Sequence, residues 1–318
     1  MDFTLITYKK LLKSLKKADY SFLTISQYLT TPVSKPVVLR HDTDKLPLNS
    51  LQFAKIESEM GIIGTYYFRI VPESFNEKII KEIFSMGHEI GYHYEDLSFA
   101  WTKLKAQGSG LRAQGEELEN FIVEIGKESF NENLAKLRKI VPVNTICMHG
   151  SPMSSWDSRL LWKYYDYHDF GIIGEPYFDI NFNEVLYLTD TGRRWDGNIV
   201  SVRDKGLGFR AMGFGEEGYK TWKVKPKSGS LMNMSMGSID FQNKFKFRST
   251  LDIIRTAKRG ELPKRMMMTF HPQRWTDKPV PWMKELVWQN VKNVGKYFLV
   301  KLRNQELGIR NKEQGTSD

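Results

Sequence analysis

Cysteine is almost missing from this chain: one residue, Cys147, in 318. That excludes an intramolecular disulfide framework and any zinc or iron–sulfur site built from cysteines alone. Long apolar runs are missing too. No stretch approaches the roughly 18 apolar residues of a membrane-spanning helix. The opening residues MDFTLITYKKLLKSLKK contain no continuous apolar run of about 7–15 residues and no small-residue cleavage site. No transmembrane or export segment is therefore expected, and the cytoplasm is the expected compartment. There is no GxxxxGK(S/T) loop and no GxGxxG turn, so the common phosphate-cradling fingerprints are absent. No internal repeat or low-complexity segment occurs.

What is present describes a globular chain: 26% of residues are charged and 41% hydrophobic. Lys and Arg number 47 against 37 Asp and Glu, a net charge of +10. Five lysines fall in residues 9–17. There Tyr8, Leu11, Leu12 and Leu15 recur at helical spacing, which puts the lysines on the wet face of an amphipathic helix. Further basic clusters at Lys220–Lys227 and Lys258–Arg265 come without a zinc-finger, helix-turn-helix or RNA-binding signature. The charge is read as a weak attractor for anionic substrates, and no nucleic-acid partner is expected.

Short β-rich runs alternate with helical ones. Strands are predicted at Val37–Leu39, Gly64–Ile70, His88–Tyr94, Val143–Met148, Glu184–Leu188 and Arg265–Phe270. Helices are predicted at Asn49–Met60, from Asn76 to Met86, around Leu118–Ile125, Leu134–Ile140, Arg159–Tyr167, Thr250–Lys258 and Met283–Tyr297. The alternation implies a parallel sheet or barrel. Residues 1–30 are expected to form a helical N-terminal extension packed on it. Residues 31–305 read as one domain with an irregular insertion around 196–248, and 306–318 as a frayed tail.

In such folds the reacting groups collect at the carboxyl ends of strands. Five of the six histidines sit in or beside strand ends: His41, His88, His93, His149 and His271. Only His168 lies instead at the end of a predicted helix. Strand residues alternate faces, so Asp42 and Asp44 share one face and His41 takes the other. His88 and His93 point opposite ways by the same rule. His93 shares its face with Glu95 and lies nearer the strand end, so it is the better ligand, and His88 the structural one. A divalent-metal hydrolase needs a few anionic or imidazole ligands, an open position for water, and a base. Asp44, His93 and a third group supply such ligands. Asp42 is placed to take a proton from the attacking water, and His271 to give one to the leaving group.

With these residues in view, the chain resembles the polysaccharide deacetylase superfamily of NodB type, carbohydrate esterase family 4, in a subgroup associated with surface-glycan biosynthesis. The resemblance rests on Arg40-His-Asp-Thr-Asp44, Gly64-Thr-Tyr-Tyr-Phe68 and Gly87-His-Glu-Ile-Gly-Tyr-His-Tyr-Glu95. His149-Gly-Ser-Pro152, Thr189-Asp-Thr-Gly-Arg-Arg-Trp195 and Phe270-His-Pro272 follow in family-like order. It implies a distorted (β/α) barrel and one divalent metal, usually zinc, with cobalt, nickel or manganese as alternatives. The implied activity is removal of an N-acetyl, or sometimes O-acetyl, group from an amino sugar or glycan precursor. It implies Asp42 as base, Asp44 and His93 as metal ligands, and His271 as acid. The second ligand histidine usual in this family, four residues past the first, is Leu97 here. The third ligand must come from elsewhere, with His149 as the candidate and Glu95 as the second choice. The usual Arg-x-Pro-Tyr motif is replaced by His-Gly-Ser-Pro. A barrel that binds a glycan without turnover is the alternative reading. Arg40, Glu95, Asp190, Arg194 and Trp195 are candidate substrate contacts. Asp190 is also a candidate to orient His271, and Trp156 and Trp275 are candidates to stack on a sugar ring.

Overall fold

The computed structural model describes residues 1–106, 115–150, 156–195, 223–224, 232–233, 241–242 and 244–292. Seven parallel strands form its main sheet. They are β1 (Ser21–Leu23), β2 (Pro36–Thr43), β3 (Thr65–Phe68), β4 (Glu89–Tyr94), β5 (Ile146–Met148), β6 (Leu186–Thr189) and, last in the chain, β9 (Met266–Phe270). Between β6 and β9 lies a small antiparallel pair, β7 (Lys223–Val224) and β8 (Met232–Asn233). The main order is β5-β4-β3-β2-β9-β6, with β1 pairing the first residues of β2. The sheet curls into a half-barrel. Beyond β5, a parallel bridge joins Thr145 to Gly174.

β2 is the centre of the sheet, and all eight of its residues are buried. The apolar run predicts only Val37–Leu39 as strand. Pairing continues the strand through the charged residues, because β9 takes Val37–His41 on one side and β3 takes Arg40–Thr43 on the other. The side chains then alternate. Val37, Leu39 and His41 face the helical layer, while Val38, Arg40 and Asp42 face the hollow of the half-barrel. Val38 joins Tyr67, Cys147 and Met267 in a small apolar floor there. The larger core lies on the other side, between sheet and helices. On β4, Gly91 makes the close fit possible, since a Cβ there would lie 2.2 Å from the Tyr67 ring.

The helices follow local signals closely. α1 (Leu5–Lys17) is capped by Thr4 and buries Tyr8, Leu11, Leu12 and Leu15. α2 (Ile25–Thr30) opens with a Thr24–Gln27 capping box. α3 (Pro47–Glu59) and α4 (Glu77–Ser85, capped by Asn76) come next. α4 is stopped by Gly87 at φ +89, a conformation that costs glycine little. α5 (Asp96–Ala106) leads toward α6 (Gly115–Arg138). The two helices read at Leu118–Ile125 and Leu134–Ile140 are one, because Ile122, Phe130, Leu134 and Leu137 continue a single buried stripe. The predicted helix at Arg159–Tyr167 is instead a 3-10 turn (Ser158–Leu160) and one turn of α7 (Leu161–Tyr164). α8 (Pro176–Asp179) is also one turn long. α9 (Thr250–Lys258) has the predicted bounds and a Ser249–Asp252 capping box. Residues 279–292 are helical.

The N-terminal residues are woven into the domain. β1 is a strand of the sheet. The fully buried Tyr8 packs on Phe53, Phe270 and Trp275 and donates to Glu57. Most of the insertion read around 196–248, the tail at 306–318 and the end of the helix read to Tyr297 lie outside the described residues. Among the described residues no helix is long and apolar enough to cross a membrane.

Candidate metal centre

Because every strand of the main sheet runs the same way, their carboxyl ends meet at one edge. Asp42 comes from the end of β2, with Asp44 just beyond. His93 comes from β4, with Glu95 after it. His149 follows β5, Asp190 follows β6 and His271 follows β9. Pairing locks these exits together: the His149 N–H donates to Tyr94 O at 2.8 Å, and the Asp190 N–H to Thr269 O at 3.2 Å.

Three groups converge. One ligand atom from each of Asp44, His93 and His149 lies within 4.8 Å of the others. Asp44 Oδ1 is 3.6 Å from His93 Nε2 and 3.6 Å from His149 Nε2. The ligand atoms of a tetrahedral zinc site with bonds of about 2.0–2.1 Å are about 3.4 Å apart, so the spacing is close to that of a ligand set. Asp44 Oδ1 is buried without a hydrogen-bond partner, a costly arrangement unless something else satisfies it. Both imidazoles are held from behind: His93 Nδ1 donates to Cys147 O and His149 Nδ1 to Glu95 Oε2, each at 2.8 Å. Those bonds put the proton on Nδ1 and leave the Nε2 lone pair aimed inward, the usual outer support of a ligating histidine. Two imidazoles and one carboxylate suit a borderline divalent ion.

The charges around this group are ordered. Arg40 grips Asp42 with two bonds, Nε to Oδ1 at 2.8 Å and Nη2 to Oδ2 at 2.7 Å. Burial pushes the Asp42 carboxyl up, but Arg40, with His93 and His271, outweighs it and holds it below the usual range. Asp44 is held well below that range: burial is overcome by the neighbouring imidazoles of His93, His149 and His271. On the far side, His271 Nε2 is 4.0 Å from Asp44 Oδ2, and its Nδ1 donates to Asp190 Oδ1 at 2.5 Å. The fully buried Asp190 also accepts from the His271 N–H at 2.9 Å and from Trp275 Nε1 at 2.6 Å. Its carboxyl is raised by burial and lowered further by His271 and Arg274, for a net shift below the ordinary value.

Comparison of the chain with family models, with curated proteins and with solved structures finds no match. The reading of the site rests on its own geometry.

That geometry changes several expectations. Of the two candidates for a third group, His149 joins Asp44 and His93. Glu95 is occupied as the acceptor of His149 and of Arg69 Nε, the latter at 2.5 Å. Arg40 is 2% exposed and grips Asp42, and its Nη1 is buried without a partner. Asp190 is fully buried and accepts from His271, the contact expected of a group that orients that ring. Trp195 and Trp275 are core residues. Trp195 packs on Phe3 and Phe270 and donates to Thr250, because an indole whose N–H finds a partner buries well. Trp156 is half-buried against Trp101, and Arg194 is exposed in the turn after Asp190. Leu97, the second residue of α5, is buried and packs against Gly126 of α6. Cys147 is buried.

The remaining histidines do structural work. His41 Nε2 lies 2.8 Å from Glu57 Oε1 and its ring stacks on Tyr66. His88 accepts from the Gly64 N–H and donates to Ala54 O. His168 is exposed beside Asp166. Two contributors escape a reading of the sequence. Gln273 donates to Asp44 Oδ2 at 3.0 Å, and Arg69 links Glu95 to Asp44 O at 3.2 Å. Their one signal is position, since each lies just past a strand end.

Proposed function

We propose that this chain is a metal-dependent hydrolase that removes an acetyl group from the nitrogen of an amino sugar, by the chemistry of the NodB-type polysaccharide deacetylases. One observation carries the reading: the unpartnered buried Asp44 Oδ1, 3.6 Å from two imidazole nitrogens whose other faces are tied down. Asp44, His93 and His149 would hold the ion, and zinc fits their mixture of nitrogen and oxygen donors. A bound zinc ion supplies Lewis-acid polarisation of the acyl carbonyl and lowers the pKa of water.

The chain's own residues divide the proton work. Asp42, kept ionised and oriented by Arg40, accepts the proton of the attacking water. His271 stands on the opposite side of Asp44 with its Nε2 toward the centre, and delivers a proton to the departing amine. Asp190 fixes the His271 tautomer by accepting the hydrogen bond of its Nδ1–H and stabilises the ring when it is charged. Hydrolysis then leaves acetate and a free amine. Against the reading of a glycan-binding barrel without turnover, which Leu97 motivated, stands His149, which lies within reach of Asp44 and His93 after a different strand.

The test is metal content and acetate release. The purified chain should hold about one divalent ion and release acetate from an N-acetylhexosamine derivative. Asp44→Ala and His93→Ala should lose both properties, and Asp42→Asn should keep the metal and lose turnover. A chain without tightly held metal, indifferent to these substitutions, would falsify the proposal.

A further inference from the structure

A cleft of about 1130 Å3 opens beside the metal centre. Its lining includes Lys45, Leu46, Gln273, Met283, Lys284 and Trp288. Gln273 joins the two places. Its amide nitrogen donates to Asp44 Oδ2, while its Oε1 is buried with no partner.

The apolar wall is unusual. In helical residues 279–292, Val280, Met283, Val287 and Val291 recur at spacings of three and four. That pattern normally marks the face a helix turns to the core. Here all four are exposed, as are Trp288 beside them and Leu46. Of these, Leu46, Met283, Val287 and Trp288 line the cleft, and exposed apolar side chains gathered in one cleft mark a binding site.

Cations outnumber acids in the lining: Lys45, Lys278 and Lys284 stand with Asp277 and Glu285. The Lys292 ammonium sits 5.0 Å over the Trp288 ring. Burial, then the Lys45 charge, lowers the pKa of Lys292, against the opposing pull of Glu285. Asp277 accepts from the Ile6 N–H and Glu285 from the Gln289 amide, neutral donors that leave a carboxylate's charge in place. The excess of positive charge favours an incoming anion.

We propose that the cleft binds the rest of the substrate, and that this rest is an anionic amphiphile. A phosphate-class group would lie against Lys45 and Lys284, and a hydrocarbon chain along Leu46, Met283, Val287 and Trp288. This deepens the hydrolase reading and rests on it for the reacting end. Several point charges favour a phosphate over a singly charged carboxylate, and the apolar wall rules for a hydrocarbon chain over a polymer of bare sugars.

The experiment is binding of decyl phosphate, below its micellar concentration, to the metal-free full chain, followed by calorimetry. Decanoate, decanol and inorganic phosphate are the comparison ligands. Decyl phosphate should bind at least ~10-fold more tightly than each of the three, and Lys284→Ala and Trp288→Ala should each weaken it ~10-fold. Leu251→Ala, a change at an exposed residue of α9, should leave it unchanged. Undetectable binding, or binding indifferent to Lys284→Ala and Trp288→Ala, overturns the proposal. So does a change in sedimentation with Trp288→Ala that shows the wall to be an interface between two copies. None of these readouts needs metal or turnover. Acetate release that decyl phosphate does not inhibit would refute the cleft and leave the hydrolase standing.

Discussion

Replacing Glu95 with glutamine tests the metal centre from one step behind it. The carboxylate serves two donors, His149 Nδ1 at 2.8 Å and Arg69 Nε at 2.5 Å. An amide offers one oxygen and one NH2, so Glu95→Gln must turn its NH2 toward one of them. Arg69 is charged in both proteins and takes the oxygen. His149 then faces an N–H donor and moves its own proton to Nε2, which removes the lone pair that would bind the ion. Loss of such outer support costs about 10–100-fold in metal affinity, or about 1.4–2.8 kcal/mol. The mismatched amide also costs about 1–3 kcal/mol of stability in the metal-free protein. The assay is competition for zinc with a chromophoric chelator, under conditions where both proteins are folded. His149→Ala in the same assay should lose more than Glu95→Gln. Zinc affinity of Glu95→Gln within about two-fold of the parent would refute the assignment of His149 as ligand and Glu95 as its support.

Three other outcomes follow from the structure. Asp96 accepts from Tyr92, Ser129 and Asn133, yet burial, reinforced by Glu95, pushes its carboxyl up to about 6 from an ordinary 3.8. A raised folded value favours the protonated folded state, so stability is full below about pH 4 and falls as pH rises through about 6, by at most about 3 kcal/mol. Asp96→Asn should therefore gain up to that amount at pH 8 and nothing at pH 3.5, and urea unfolding that shows no such pH-dependent gap would refute the assignment. Asp190→Asn puts an NH2 against His271 Nδ1 and should lower turnover by about 10²–10⁴-fold with metal retained; acetate release within ten-fold of the parent would remove His271 as the acid. Leu12 of α1 is fully buried, so Leu12→Ala should cost about 2–5 kcal/mol in chemical denaturation. A cost under about 1 kcal/mol would show the N-terminal helix to be a detachable extension.

Local patterns were legible where one segment carries the whole signal. The stripe Tyr8, Leu11, Leu12 and Leu15 defines the buried face of α1. Asn76 and Ser249 start their helices, and Gly87 stops one. Alternation along β2 put Asp42 and Asp44 on one side and His41 on the other, as found. The same rule separated His93 from His88. Where two alternatives depended on position in space, the chain left them open. The chain ranked His149 ahead of Glu95 for a third group without excluding either, because the distance between β4 and β5 is not a local property.

The sequence by itself determined which residues stand at strand ends and which face of each strand they take, because alternation and capping are set by neighbours in the chain. Tertiary structure alone decided what those residues meet. It paired Arg40 with Asp42, buried Trp195 and Trp275 in the core, turned Leu97 toward α6 and set Asp190 beneath His271. Each of these depends on which strand lies beside which in the order β5-β4-β3-β2-β9-β6. That order brings together residues as far apart in the chain as Asp44 and Gln273. It arises from packing the whole sheet against its helices, so no single segment encodes it.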